Sequence, residues 1–594
     1  MRALKGMAWS ALLLWGVAAG ASERPNIVVL LADDVGFSDF GAYGSEIRTP
    51  NIDALAAAGM QFTNFHVSPN CAPTRAMLLT GVSNHRAGVA NIPETIPPAQ
   101  RSHPAYRGRL RADVVTVASI LQAVGYATYV TGKWHLGHEP DTLPNARGFD
   151  RSFVLDASGA DNWEQRPYLP YYSEAPWFED GEAATLPEDF YSSAFIVDQM
   201  IDYLKSPAGD GESRRPFFAY LGFQAIHIPV QAPRAFTERY LGVYEQGWDR
   251  LRQQRFEAVM KRGLLPAVTE MGPMPAGVPA WDSLAPEAQR HAAKSMAVNA
   301  GMLEAMDFHI GRLLDHLRAT GEYERTLFLV LSDNGPEPNQ PLDLAAMRIW
   351  LRTVGYRTDH ETLGERGSYA AIGPGFASAA AAPGAFFKFH AGEGGMRVPL
   401  IVSGEGVRPG LSSGFAFVTD LLPTLLAWAE VPVPEIVDDT PMQTLTGRSL
   451  LPVLRGHADA VHGADDVVAM EVGGNVALFR GDYKLVRNMP PYGDGTWQLY
   501  DLAKDPGETR DLAGSEAELM GALQAAYRSY AEREGVLELP ADFDPMAEMT
   551  RATWQRQSGR VLPWLLAAAA AGLLILLLGG RALRRRYRAK REPT

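Results

Sequence analysis

The sequence predicts an α/β fold: a large domain with a mostly parallel mixed sheet flanked by helices, followed by a smaller C-terminal α+β domain with an antiparallel sheet. The first observation is that short apolar runs typical of buried strands alternate with helical patterns. The second is that strand-like segments beyond residue 435 become short and are separated only by turns. A chain of 594 residues is long enough for more than one domain.

Four apolar runs carry the prediction of a parallel sheet, because each is continuous, rich in β-forming residues and followed by polar side chains. They are residues 26–34, 126–137, 216–230 and 326–335. Ligands of such sheets bind beyond the carboxyl ends of the strands. The polar residues at those ends are therefore candidates for a functional site: Asp33, Asp34, Lys133, His135, His227, Asp333 and Asn334.

Helical patterns that end at glycines lie between these runs, at residues 49–59, 115–125 and 302–321. In the C-terminal part, four strand-like segments between residues 467 and 502 precede an amphipathic helix at 515–535. We therefore predict a large domain over 22–434 and a small domain over 435–540.

The N-terminus has the features of a secretory signal peptide. Arg2 and Lys5 precede an apolar stretch that ends at the small residues Ala19, Gly20 and Ala21. This pattern predicts a signal peptide over residues 1–21. An uncleaved anchor helix is the alternative.

A second apolar segment, VLPWLLAAAAAGLLILLLGG at 561–580, contains no charged side chain. A helix of this length, at about 1.5 Å per residue, can cross the hydrocarbon core of a bilayer, so we predict a transmembrane helix after a polar linker at 541–560. The basic tail at 581–594 predicts a cytoplasmic C-terminus. The body would then be exported and anchored in the cytoplasmic (inner) membrane, facing the periplasm or the outside. A buried soluble helix is the alternative.

The exported part is strongly acidic. The whole chain has a net charge of −13, and removing the tail (seven basic residues, one acidic) together with Arg2 and Lys5 leaves −21. This balance argues against nucleic acid as a partner and against any general attraction for polyanions. An anionic substrate would have to be held by local positive groups.

Cys71 is the only cysteine, which excludes an intramolecular disulfide. It is either buried and inert, which composition alone favours, or part of the chemistry. Pro73 suits the first turn of a helix, which would place Cys71 at the positive end of the helix dipole with Arg75 nearby. Such surroundings predict a reactive thiol.

The paired residues Asp33-Asp34 and Asp333-Asn334 offer only oxygen ligands, which suit Ca²⁺ or Mg²⁺ better than zinc. A single Asp-Asp pair after a strand is more often a turn or a helix cap. Two such pairs at one edge of the same sheet favour a metal site.

Several long motifs, in order, resemble those of formylglycine-dependent type I sulfatases, which are arylsulfatase-like members of the alkaline phosphatase superfamily. The likeness covers most of residues 25–535. It rests on the segments PNIVVLLADDVGFSDFGAYG, RTPNIDALAAAG, NCAPTRAMLLTG, GKWHLG, PFFAYLGFQAIHIP, LSDNG, KFHAGEGGMRVPLIV and QLYDLAKDPGETRDL. The family usually has an aromatic residue before the Glu-Gly-Gly, where this chain has Gly392 before Glu393.

The resemblance implies an alkaline-phosphatase-like fold, one Ca²⁺ per chain and a formylglycine made from Cys71 by a formylglycine-generating enzyme or another maturase. It implies that Asp33, Asp34, Asp333, Asn334 and oxidised Cys71 bind the metal. The implied catalytic residues are Cys71, Arg75, Lys133, His135, His227 and Lys388.

The implied activity is hydrolysis of small sulfate monoesters, with an aryl or alkyl group on the alcohol side. In the mechanism we expect, one hydroxyl of the formylglycine hydrate attacks sulfur, and loss of the second hydroxyl's proton then releases sulfate. We expect His227 to protonate the leaving group with help from Lys388, and His135 to accept the later proton.

Two segments of interest remain open, namely 162–181 and the small-residue, flexible-looking 370–387. The aromatic residues of the first form either a rim for the substrate or a loop packed on the body: Trp163, Tyr168, Tyr171, Tyr172 and Trp177. Two other functions also remain as alternatives. One is a phosphodiesterase or phosphonate monoester hydrolase of the same superfamily, and the other is a catalytically silent, membrane-tethered binding protein.

Overall fold

A computed structural model describes residues 24–205, 215–540 and 543–589. Within the last range, the side chains of 559–569, 573–574, 583 and 585–589 are not described. The predicted signal peptide, 1–21, lies outside the described residues.

The strands follow one another in this order: β1 (Asn26–Ala32), β2 (Met60–Phe62), β3 (Phe65–His66), β4 (Ala127–Lys133), β5 (Arg151–Leu155), β6 (Trp177–Glu179), β7 (Glu182–Ala183), β8 (Phe217–Gly222), β9 (Thr326–Ser332), β10 (Leu400–Ser403), β11 (Gly410–Ser412), β12 (Ala416–Phe417), β13 (Ile436–Val437), β14 (Thr440–Pro441), β15 (Val467–Val472), β16 (Asn475–Arg480), β17 (Tyr483–Arg487) and β18 (Trp497–Asp501).

The α-helices are α1 (Pro50–Ala58), α2 (Cys71–Thr80), α3 (Asn84–Ala87), α4 (Val117–Ala123), α5 (Ser192–Lys205), α6 (Arg234–Thr237), α7 (Gly247–Lys261), α8 (Pro286–Thr320), α9 (Ala345–Thr353), α10 (Gly373–Ala380), α11 (Glu393–Met396), α12 (Leu421–Trp428), α13 (Leu451–Leu454), α14 (Ala517–Glu534) and α15 (Pro545–Ala589).

The large domain is built on a ten-stranded mixed sheet in the order β11-β2-β10-β9-β1-β8-β4-β5-β6-β7. The central strands β9, β1, β8, β4 and β5 pair in parallel, whereas β10 runs antiparallel to both of its neighbours. Alternate residues of β1 belong to two hydrophobic cores, with Val28 and Leu30 on one side and Val29 and Leu31 on the other. Burial on both faces explains why these strands appear as continuous apolar runs. The predicted fold class is confirmed.

Two helices differ from the sequence pattern. The helix predicted at 302–321 is the C-terminal part of α8, which begins at Pro286 and whose first turns are mostly exposed. The polar and alanine-rich start of α8 has no regular apolar stripe to reveal it. The segment 370–387, which looked flexible, contains the buried helix α10.

The small domain consists of β15 to β18, paired antiparallel in sequence order, with α14 packed on one face. Its core contains apolar side chains from three strands and from α14: Val476, Leu478, Leu485, Leu499, Leu523, Tyr527 and Tyr530. This arrangement confirms the predicted antiparallel α+β domain.

A buried ion cluster joins the two domains. Lys484, on β17 of the small sheet, donates to Glu393 at 2.7 Å and to Glu508 at 2.8 Å. Glu393 begins α11 of the large domain, where it also accepts from Arg397 at 2.5 Å and lies 3.0 Å from His66. Because Lys484 is fully buried, both carboxylates depend on its charge for compensation.

The last helix, α15, contains most of the predicted linker (541–560), the whole predicted span (561–580) and the start of the tail. Among the residues with described side chains, no helix is long and apolar enough to cross a membrane. The side chains of 561–569, 573 and 574 lie outside that set, and the predicted span remains a prediction.

Lys484→Met tests the domain junction. We expect it to lower the free energy of unfolding by about 3–5 kcal/mol, because it leaves Glu508 buried without its cation and removes one of the cations that hold Glu393. Chemical denaturation measures the change. Lys504→Met is the matched control in the same domain, because the Lys504 side chain is 79% exposed and its pair with Asp501 is solvated. Equal stability of the two variants would contradict the role given to Lys484.

Candidate active site

The carboxyl ends of four adjacent strands meet at one edge of the large sheet. Asp33 and Asp34 follow β1, Lys133 ends β4 and His135 follows it, His227 comes after β8, and Asp333 and Asn334 follow β9. All seven side chains are buried. The structure also brings Cys71, Arg75 and Lys388 to this place, so all ten residues singled out from the sequence lie together.

Cys71 is the first residue of α2 and is 1% exposed. Its Sγ atom lies 3.5 Å from Nδ1 of His135. Burial raises the pKa of the thiol to about 11, despite the opposing charges of Lys133 and Lys388. The prediction of a reactive thiol is therefore wrong for the unmodified cysteine, because desolvation outweighs the helix terminus and the nearby cations.

Arg75 lies one turn further along α2 and is fully buried. Its Nε donates to Oδ2 of Asp333 at 2.8 Å, and one terminal nitrogen donates to the carbonyl of Lys133 at 2.7 Å. The guanidinium group therefore connects α2 with the ends of β4 and β9.

Each lysine of the site is paired with an aspartate. Lys133 donates to Oδ2 of Asp33 at 2.6 Å, and Lys388 lies 2.6 Å from Oδ1 of Asp34 and 2.9 Å from Oε2 of Glu337. Burial disfavours the charged form of Lys388, but Asp34 and Glu337 more than compensate and raise its pKa well above the usual value. Burial likewise opposes the charge of Lys133, but Asp33 outweighs it and raises the pKa of Lys133, so both lysines keep their positive charge at neutral pH.

Three buried oxygens face this centre without a hydrogen-bond partner among the described residues: Asp33 Oδ1, Asp34 Oδ2 and Asn334 Oδ1. Burial, together with Asp333, raises the pKa of Asp33 to about 6. Ligand atoms of Asp33, Cys71 and Asp333 all lie within 4.8 Å of one another. Ligand atoms of Asp33, Asp34 and His227 are equally close to one another. Carboxylate oxygens gathered in this way suit a hard divalent cation.

The two histidines are neutral in these surroundings. Burial lowers the pKa of His135 well below its usual range, with Lys133 adding to the effect, and burial and Lys388 do the same for His227. Nδ1 of His227 lies 2.7 Å from the carbonyl of Ile228, which can only accept, so the proton is on Nδ1. Its Nε2 lies 3.8 Å from Asp34 Oδ2.

Sequence reasoning missed two acidic residues, Glu337 and Glu94. Glu337 lies just after the Asp333-Asn334 pair, and this closeness could have marked it. Glu94, in a turn between α3 and α4, lies 3.8 Å from His135, and nothing local in the sequence points to it.

The aromatic residues of segment 162–181 do not all follow one of the two alternatives, a rim for the substrate or a loop packed on the body. The ring of Tyr168 makes an edge contact with His227 at 5.2 Å, and the Tyr172 hydroxyl donates to Glu94. Trp177 instead packs in the core against Phe153. Part of the segment therefore borders the site, and part only packs on the body.

Three fixed cations, the amino end of α2 and two neutral histidines lie together at this end of the sheet. Such a cradle stabilises negative charge on the oxygens of a bound anion, and the histidines and Lys388 can carry protons to and from it.

The chain is similar to known proteins over most of its length. A sequence model of the sulfatase family matches residues 25–431. An uncharacterized sulfatase of Schizosaccharomyces pombe is 36% identical, covering 88% of this chain and 96% of its own length. The arylsulfatase of Klebsiella aerogenes is 34% identical, covering 74% of this chain and 94% of its own length.

The fold likeness extends to crystal structures. Ps i-CgsB in complex with a neocarrahexaose aligns with a TM-score of 0.61 at 22% identity, covering 90% of this chain and 98% of that one. The family match spans well over half of the chain and includes all ten buried residues described above. This chain therefore belongs to the sulfatase family, whose activity is sulfate ester hydrolysis.

Proposed function

We propose that this protein hydrolyses aryl or alkyl sulfate monoesters, with a formylglycine made from Cys71 as nucleophile and one bound Ca²⁺. The observation that carries the proposal is the position of Cys71. It begins α2, its Sγ atom lies within 4.8 Å of a carboxylate oxygen of Asp33 and one of Asp333, and the charges of Lys133 and Lys388 act on it. An unmodified thiol with a pKa near 11 would be a poor nucleophile there, which favours its being a precursor.

Asp33, Asp34, Asp333 and Asn334 would hold the Ca²⁺ together with the modified Cys71. A bound calcium would add positive charge next to the sulfate oxygens and the nucleophile. Arg75 and Lys133, which are fixed by Asp333 and Asp33, hold their charges where the sulfate group would lie.

Proton transfer falls to His135, His227 and Lys388. Lys388 keeps its ammonium group in the described structure, whereas Nε2 of His227 carries no proton. Lys388 is therefore the resident donor for the leaving oxygen, and His227 becomes an acid once a bound anion raises its pKa. His135, 3.5 Å from Cys71 Sγ, is placed to accept a proton from the modified side chain when sulfate is released.

Export and membrane anchoring are part of the same proposal. They are supported by the signal-peptide pattern at 1–21, the uncharged segment 561–580 and the basic tail. The physiological ester would then be sought on the side of the membrane where the body folds.

Phosphodiester or phosphonate hydrolysis is the second candidate, because the same cradle can bind a phosphoryl group. A comparison of sulfate and phosphate esters with the same para-nitrophenyl leaving group separates the two activities. A silent binding protein would hydrolyse neither ester.

Modification of Cys71 is the first expected outcome. In protein purified from its own host, the tryptic peptide 49–75 should carry an aldehyde at Cys71, which mass spectrometry and an aldehyde-reactive probe both detect. Cys71→Ala is the control for probe specificity and should also lose hydrolysis. A peptide that contains only the unmodified thiol would remove formylglycine from the proposal.

Calcium binding should appear in thermal stability, because a ligand that binds only the folded state stabilises it. We expect added Ca²⁺ to raise the Tm of metal-stripped wild type and Mg²⁺ to raise it less. Asp34→Asn should lose the response, since it weakens a charged oxygen ligand. The matched control is Asp359→Asn, at an exposed position, which should respond as wild type does. A Tm that is insensitive to Ca²⁺ in both proteins would contradict the metal site.

His227→Ala should slow esters with poor leaving groups by about 10²- to 10⁴-fold in kcat/KM, which is the usual contribution of general acid catalysis. Para-nitrophenyl sulfate, whose leaving group needs little protonation, should be much less affected. Rates over a series of phenyl sulfates measure the difference. An equal loss across the series would assign His227 a role other than proton donation.

A further inference from the structure

Glu94 is a buried carboxylate at the edge of the site that the mechanism above does not use. It is 1% exposed, and its Oε1 accepts a hydrogen bond from the hydroxyl of Tyr172. Its Oε2 is buried and has no hydrogen-bond partner in the described parts of the chain. A buried acceptor without a partner is costly, so such an atom commonly serves a ligand.

A second unpaired polar atom lies next to it. Nε2 of His135 is 3.8 Å from Glu94 Oε1 and also lacks a hydrogen-bond partner among the described residues. The other ring nitrogen of His135 faces Cys71. One imidazole ring therefore separates Glu94 from the nucleophile's position.

Tyr168 places Glu94 on the side of the leaving group. Its ring contacts His227, and its hydroxyl donates to Oγ of Ser158 at 2.9 Å. The Ser158 N–H in turn donates at 3.2 Å to the hydroxyl of Tyr172, which is the group that donates to Glu94. His227 and Lys388 are the proposed proton donors to the ester oxygen. The alcohol half of the substrate would therefore extend toward Glu94.

A cavity of about 380 Å³ lies beside Tyr172. It is lined in part by Tyr171, Tyr172, His138, Asp156 and Arg556. Tyr172 belongs both to this cavity and to the hydrogen bond with Glu94. The volume is within the range of small-molecule sites, so it offers room for the alcohol half of a small ester.

We propose that Glu94 is a specificity residue that contacts the substrate: it accepts a hydrogen bond from a hydroxyl or ammonium group on the alcohol half and repels a second anionic group. The inference rests on the proposed sulfatase function and names its substrate class. That class is hydroxylated or aminated aryl and alkyl monosulfates, and it excludes polysulfated chains. Charge-assisted hydrogen bonds and like-charge repulsion are both strong in a buried site.

The test compares kcat/KM for three esters of one skeleton: meta-hydroxyphenyl, meta-methylphenyl and meta-carboxyphenyl sulfate. Wild type should prefer the hydroxyl ester to the methyl ester by about tenfold or more, and should disfavour the carboxylate ester by a similar factor. Glu94→Gln should bring both ratios close to one. Glu182→Gln, the same change at an exposed position on β7, should leave both ratios as in wild type.

The outcomes separate the inference from the function on which it rests. Wild-type turnover of any phenyl sulfate supports the sulfatase proposal by itself, and its complete absence would overturn both. Ratios that do not change in Glu94→Gln would overturn the inference alone. An equal loss on all three esters would also overturn it, because Glu94 would then act only through His135.

A second variant covers the case in which Glu94→Gln does not fold. Tyr172→Phe removes the hydroxyl that occupies Oε1 but keeps the charge of Glu94. We expect it to keep the rejection of the carboxylate ester. If Tyr172→Phe accepted that ester as readily as the methyl ester, the carboxylate would not be the discriminating group, and the inference would be wrong.

Discussion

The burial of many charges at one edge of a sheet is the constraint on which the rest of the site depends. The removal of an ion from water costs several kcal/mol unless other charges and hydrogen bonds compensate. Here four carboxylates and three basic groups are buried together: Asp33, Asp34, Asp333 and Glu337 with Arg75, Lys133 and Lys388. The acids exceed the bases by one, and three ligand oxygens remain unpaired. A divalent cation would satisfy these oxygens and change the net charge of the group from −1 to +1, which suits a bound anion and is the physical reason for proposing the cation.

The same burial decides which groups carry protons. It keeps His135 and His227 neutral and the Cys71 thiol protonated, while Asp34 and Glu337 hold Lys388 in its charged form. A cysteine in this state neither attacks an ester nor binds a metal as a thiolate. The surroundings therefore fit an oxygen nucleophile at position 71 better than a sulfur one. Because Lys388 is charged and the two histidines are neutral, the site also has one group that can give a proton and others that can take one.

The sequence predicted the parts of the structure that arise from local patterns. Strand β1 and its Asp33-Asp34 end could be recognised because a strand buried on both faces is continuously apolar and then stops at polar residues. Glu94 could not be recognised, because its place beside His135 arises from the packing of a turn against a distant strand end. Lys484 was likewise only one residue of a strand-like segment, and its role depends on two carboxylates from other elements.

The C-terminal segment is another place where contacts between distant elements could not be predicted from the local sequence. It also affects how substrate specificity should be tested. Residues 541–560 look like a polar linker, yet the start of α15 lies against the aromatic loop of the large domain. The guanidinium of Arg556 is 4.3 Å from the ring centre of Tyr171, and Gln557 donates to the carbonyl of Pro170. Both side chains line the cavity beside Tyr172, the residue that donates to Glu94. Because α15 forms part of that wall, a chain cut before Pro545 to improve solubility would present a different pocket to the alcohol half of the substrate.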